Sequence, residues 1–442
     1  MQRYVSDRPA VEPQVGFAPD GTAYFPSVYT RGAPYPENAL GVDRRFYLFQ
    51  SKDQGNSWED IAGKLPAIAV AETLQGGDPI TYLDRIAGRF FFGVYTGGCT
   101  LIHWTDDDGA SWDFTRVCDE GPGTDKPTLF SGPAPAGITT SGYPTVLYLC
   151  YNGLISVRCK RSTNGGSVWT PTALPYPDNL GPSGHTIGFA AASPVHGTLY
   201  VPRTVAGKAR VAVSHDGGDA WEQVEVGPGV DRPFSANHGQ IVVDQAGNAY
   251  YVWLGEESLP RLAFSRDSGK TWSEPMRASL PGLTAANNPA ISVGRPGQVA
   301  FFYVASNVPG GHQAVDEDKA NAIWNGYIGT SLDVFSESPV FATALANVPS
   351  DPLKRGPCDD RCYERAWNGC VQEQSCAQPS VPEGMYDYAG IAVSPMDGRI
   401  WVSFVDLCLE SCPEPVPDSE GFSSRGSVAV QVRGPRFKTP PS

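Results

Sequence analysis

A chain of 442 residues exceeds what one hydrophobic core usually supports, so it either divides into domains or builds its core from repeated small units. Its 49 Gly, 40 Pro and 11 % aromatic residues fit many short strands and turns better than helices. A formal net charge of −14 speaks against nucleic acid and anionic membrane as partners, and no apolar run is long enough to span a bilayer.

In chain order, Gln2-Arg3-Tyr4-Val5 reads as a short strand standing before the first repeat. That repeat starts at Glu12-Pro13, turns at Asp20-Gly21, continues through the aromatic pair Tyr24-Phe25 and closes with Ser51-Lys52-Asp53-Gln54-Gly55-Asn56-Ser57-Trp58. Apolar first strands preceded by a polar residue recur at Asp78-Pro79, Lys126-Pro127, His185-Thr186, His238-Gly239, Asn288-Pro289 and Tyr388-Ala389, seven in all. The closing motif recurs at Thr105–Trp112, Ser162–Trp169, Ser214–Trp221 and Ser265–Trp272, with its tryptophans 54, 57, 52 and 51 residues apart. Such a period suits a four-stranded propeller blade with its loops. Module six has only the degenerate Ser331-Leu332-Asp333, and module seven, ending at Val428–Val432, lacks a fourth strand that residues 2–5 can supply, which would leave no open sheet edge.

Each position of the closing motif has a physical task. A short carboxylate or amide (Asp53, Asp107, Asn164, Asp216, Asp267) accepts backbone N–H groups across a tight turn, and the Gly two residues on supplies positive φ. The ring of Trp58, Trp112, Trp169, Trp221 or Trp272 can then wedge between sheets. This pattern, S/T-x-D-x-G-x-S/T-W, resembles the Asp box, the bacterial neuraminidase repeat of sialidases and of many propellers that are not sialidases. The resemblance covers roughly residues 10–280 and implies an all-β propeller, one domain over 1–442, of seven or alternatively six four-stranded blades.

The ten cysteines imply disulfides and a secreted or periplasmic protein, read as a mature chain whose leader has been removed. Strand positions suggest the pairs Cys99–Cys118 and Cys150–Cys159. An insertion at 351–382 would be stapled by nested pairs Cys358–Cys376 and Cys362–Cys370 around a helical Tyr363–Trp367, while Cys408 and Cys412 lie in a Pro-rich loop. The insertion lacks zinc-ligand spacing and histidines, so no cofactor is expected apart from a possible structural calcium.

In a propeller the closing motifs share one face, and the first-strand starts share the opposite rim at the central channel, where a ligand is expected. That geometry selects Asp78, His185, His238 and Tyr388, with Glu256 on a second-to-third-strand loop, as catalytic candidates. Arg31, Lys126, Arg203, Arg232, Asn288 and Tyr386 are the candidates for substrate binding. Such a set suits sugar hydroxyls, or glycoside hydrolysis by paired carboxylates. The sialidase resemblance implies three carboxylate-binding arginines, a Tyr nucleophile paired with Glu, and an Asp acid/base. The chain lacks the F/Y-R-I-P motif before its first box, where Arg31-Gly32-Ala33-Pro34 is a poor substitute. Two classes therefore stay open for what is expected to be a monomer. One is a carbohydrate-active enzyme, either a hydrolase or a lyase using a His–Tyr pair. The other is a non-catalytic propeller that binds glycan or protein.

Overall fold

The computed structural model describes residues 1–6, 12–28, 46–66, 77–96, 98–119, 125–153, 156–177, 187–230, 239–307, 323–355, 389–406 and 425–437. They form seven antiparallel sheets, each the blade of a propeller. Blade 1 runs through Gly16–Phe17, Ala23–Val28, Phe46–Ser51 and Glu59–Asp60, and blade 2 through Gly77–Asp84, Arg89–Tyr95, Cys99–Thr105 and Asp113–Cys118. Blades 3 to 6 repeat this order from Asp125–Gly132, Ala191–Ala192, Gln240–Val243 and Ala285–Val293. First strands of neighbouring blades contact one another all the way round, which makes them the innermost layer.

Blade 7 takes Gly390–Val393, Ile400–Asp406 and Arg425–Val430 from late in the chain and its outer strand from Gln2–Val5. Gln2 pairs with Val430 and Val5 with Ser427, so the ring is closed by its own first residues, and seven blades replace the alternative of six. Arg3 fastens this closure with ion pairs to the wholly buried Asp406 at 2.9 Å and to Asp351 at 3.2 Å.

The apolar residues gather in seven clusters, and each cluster spans the seam between two adjacent blades. This distribution explains how the chain outgrows the single-core limit: every added blade brings a core of its own. Second strands are covered on both sides, so Ala23–Val28, Val146–Asn152 and Ile400–Asp406 are buried at every residue and do not alternate.

The five closing motifs make one and the same turn. In the first, Ser57 donates its N–H to Asp53 Oδ1 at 2.9 Å and its hydroxyl to Asp53 Oδ2 at 2.6 Å, while the Gly55 N–H binds the Ser51 hydroxyl. Asp107 and Asp267 repeat these bonds with Ser111 and Thr271. Asn164 and Asp216 keep the backbone bond, from the N–H of Val168 and Ala220, but these two residues have no hydroxyl to give. Each motif is also pinned to the preceding blade. Trp58 stacks on Tyr4 at 5.2 Å, Trp112 stands edge-on to Tyr24 at 5.7 Å, and a Cβ on Gly109 (φ +87°) would collide with the Tyr24 hydroxyl. Both expected disulfides in the blades are present, each between residues opposite one another on paired strands. Cys358, Cys362, Cys370, Cys376, Cys408 and Cys412 lie outside the described residues.

Candidate functional site at the axial rim

Four first strands share a backbone feature at the rim opposite the clasps. Glu12, Asp78, Lys126 and Asn288 each precede a proline and each has positive φ, at 52°, 45°, 50° and 52°. Non-glycine residues adopt this conformation at a cost of roughly 1–2 kcal/mol each. In blades 2, 3 and 6 the strand register shifts across these dipeptides, between Gly77 and Ile80, Asp125 and Thr128, and Asn287 and Ala290. A bulge is where a strand accepts proline, because the unpaired position requires no N–H, and a bulge also re-aims its side chains.

The re-aimed side chains tie the inner strands to one another. The Asp78 N–H donates to Glu12 Oε2 at 3.3 Å, and the Lys126 N–H donates to Asp78 Oδ2 at 3.0 Å. Farther round, the Ile187 N–H binds Asn152 Oδ1, the Ile291 N–H binds Gln240 Oε1, and the Ser403 hydroxyl donates to the Pro13 carbonyl. Side-chain bonds to the neighbouring blade's backbone thus recur around the axis. Asp78, Lys126 and Asn288 are buried, at 7 %, 9 % and 4 % exposure.

The structure therefore brings Asp78 and Lys126 together across one seam, beside Glu12, and puts Asn288 at the corresponding place in blade 6. Glu256 stands exposed on the turn between the second and third strands of blade 5, next to a Glu257–Arg261 ion pair at 2.6 Å. Arg203 lies elsewhere than expected of a ligand-binding arginine. It is 1 % exposed, with its guanidinium 4.9 Å from the ring centre of Tyr176, inside the seam of blades 3 and 4. Burial pushes the phenols of Tyr151 and Tyr176 up, so neither is readied as an anionic nucleophile. Arg31, His185, Arg232, His238, Tyr386 and Tyr388 lie outside the described residues. Among the described residues no group of three or more His, Cys, Asp or Glu is placed to hold a metal.

Sequence reasoning missed Gln240 and Ser403 as members of this inter-blade network. The available signal was a polar residue at a strand position that the blade pattern buries.

No family model matches the chain, and no curated protein does. Solved structures do. A GH74 enzyme of Niastella koreensis is 14 % identical with a TM-score of 0.52, covering 90 % of this chain and 51 % of its own. The NanB sialidase of Streptococcus pneumoniae is 14 % identical with a TM-score of 0.43, covering 91 % and 65 %. An intramolecular trans-sialidase of Ruminococcus gnavus is 12 % identical with a TM-score of 0.41, covering 96 % and 94 %. The chain thus spans 65 % of the length of NanB and about half that of the GH74 enzyme. At 14 % identity and a TM-score of 0.52, the likeness to the GH74 enzyme is one of fold alone.

Proposed function

We propose that this is a secreted, glycan-directed propeller that acts as a glycoside hydrolase at the axial rim opposite its five clasps. The observation that carries the proposal is the set of polar residues held at positive φ in the same rim position of blades 1, 2, 3 and 6. Backbone strain of about 1–3 kcal/mol per residue persists only where the surroundings over-determine it, and it concentrates at ligand clamps and catalytic sites. In this reading Asp78 serves as acid/base, and Tyr388 is the nucleophile with Glu256 as its partner. His185 and His238 assist proton transfer, while Arg31, Lys126, Arg232, Asn288 and Tyr386 bind the sugar. Two disulfides support an oxidising compartment.

One observation favours a non-catalytic glycan-binding propeller instead. Glu12 and Asp78 each already commit a carboxylate oxygen to a neighbouring backbone N–H, which a mobile proton donor would have to release. A chromogenic-glycoside screen run beside a glycan array separates the two. Hydrolysis predicts turnover that falls in Asp78→Asn, Glu256→Gln and Tyr388→Phe. Glycan capture without turnover would install the binding reading, and turnover kept by all three variants would put the site elsewhere.

A further inference from the structure

On the clasp face, away from the axial rim, the seam between blades 2 and 3 opens into a recess of about 590 Å³. Its floor is rigid. The Arg89 guanidinium lies 5.3 Å from the ring centre of Trp104 and 4.9 Å from that of Tyr143. It also binds Asp106 through two bonds of 2.7 and 2.6 Å and reaches across the seam to the Gly165 carbonyl at 2.8 Å.

Most charge in the recess is already satisfied. Asp106 is held by Arg89, and Asp107 is held by Ser111 and lowered to about 2 by those hydrogen bonds. Unspent capacity remains in three groups. The Asn164 amide NH₂ donates to nothing among the described residues, since its bonds from Ser162 and Val168 both end on Oδ1. Asp113 uses only Oδ1, for the Phe114 N–H, and the exposed Ser167 hydroxyl has no partner among the described residues. The part-buried indole of Trp112 lines the same wall.

Asn164 is the one amide at the position where the other four clasps have Asp, and the turn does not require it. The clasp of blade 4 also lacks the hydroxyl residue, having Ala220 where blade 3 has Val168, yet it keeps Asp216. The donor therefore occurs where the recess is. Side-chain donors and acceptors beside an aromatic wall match the alternating hydroxyls and apolar face of a sugar ring. The surrounding carboxylates repel anions, and the satisfied ones offer little to a cation.

We propose that this recess is a second glycan-binding site, taking an uncharged sugar residue of an oligosaccharide. It stands independently of the axial site. The test is calorimetric titration of the intact chain with neutral cello-, chito-, manno- and galacto-oligosaccharides, on wild type and three variants. Asn164→Asp restores the usual clasp residue and removes the donor, so it folds. Ser167→Trp fills the recess from an exposed position, and Asp78→Asn alters only the far rim. The expected result is a binding event, separate from any at the axial rim, that Asn164→Asp weakens about tenfold, the worth of one hydrogen bond, that Ser167→Trp removes, and that persists in Asp78→Asn. The inference is overturned if no member of the panel binds wild type, or if Asn164→Asp and Ser167→Trp bind as wild type does. Binding lost in Asp78→Asn alone would overturn it while sustaining the axial reading.

Discussion

Arg3 and Asp406 stand 2.9 Å apart, joining the first strand of the chain to a carboxylate that is wholly buried in blade 7. Removing one partner of a buried pair leaves the other charge uncompensated, at a cost of about 3–5 kcal/mol. Arg3→Ala should lower stability by up to that amount in urea unfolding, since Asp406 has further interactions. The double variant Arg3→Met, Asp406→Leu should recover most of it, because it removes the wholly buried charge and leaves only the partly exposed Asp351 without Arg3. Equal losses in the single and double variants would refute this account of the closure.

His103 is fully buried in blade 2, between the rings of Phe92 at 5.4 Å and Phe114 at 5.7 Å. Burial lowers its pKa to about 3 from the ordinary 6.5. The unfolded chain therefore binds a proton that the folded chain refuses. The contribution to stability is complete above about pH 6.5, declines as the pH falls, and stops declining near pH 3, with a loss of about 2 kcal/mol by pH 5. His103→Leu should flatten that part of the stability profile, which denaturant titrations at several pH values would record.

Gly109 and Gly137 both have strongly positive φ, at +87° and +88°, but only Gly109 faces a neighbour, the Tyr24 hydroxyl. Gly137→Ala should cost about 1 kcal/mol from backbone strain alone. Gly109→Ala should cost about 3 kcal/mol, because the methyl group also forces the seam apart. Thermal melts of the two variants measure the difference, and equal costs would show that the clasp does not depend on the close approach.

Asp78 supplies the acceptor for the Lys126 N–H. Asp78→Ala leaves that buried donor without its partner and should cost about 1–3 kcal/mol. Asp78→Asn retains an acceptor oxygen and should cost under about 1 kcal/mol. Similar losses in both would mean that the negative charge, rather than the hydrogen bond, holds the seam.

Much of the architecture could be read from the chain because the clasp is a local device. Asp53, Gly55, Ser57 and Trp58 bond and pack within a few residues or onto one neighbouring blade, so their spacing carries the pattern. The ring closure was legible from a missing strand, and Cys99–Cys118 and Cys150–Cys159 from their places on paired strands. The rim was less so. Before a proline, Glu12 and Asp78 look like ordinary strand starts, and nothing in their sequence reveals the left-handed backbone that turns each toward the next blade. Arg203 resembled a ligand arginine because residue type cannot tell of its stacking on Tyr176, 27 positions earlier. The recess of blades 2 and 3 was hidden for the same reason, being made where two clasps meet.

The outer strand of blade 7 comes from residues 2–5, and its other three strands come from residues 390–430. Residues 2–5 have nothing to pair with until residues 427–430 are in place, so this pairing closes a loop that takes in the six other blades. Until then the nascent ring is an arc with two bare flanks. The step that makes it a circle joins residues 2–5 to residues 427–430.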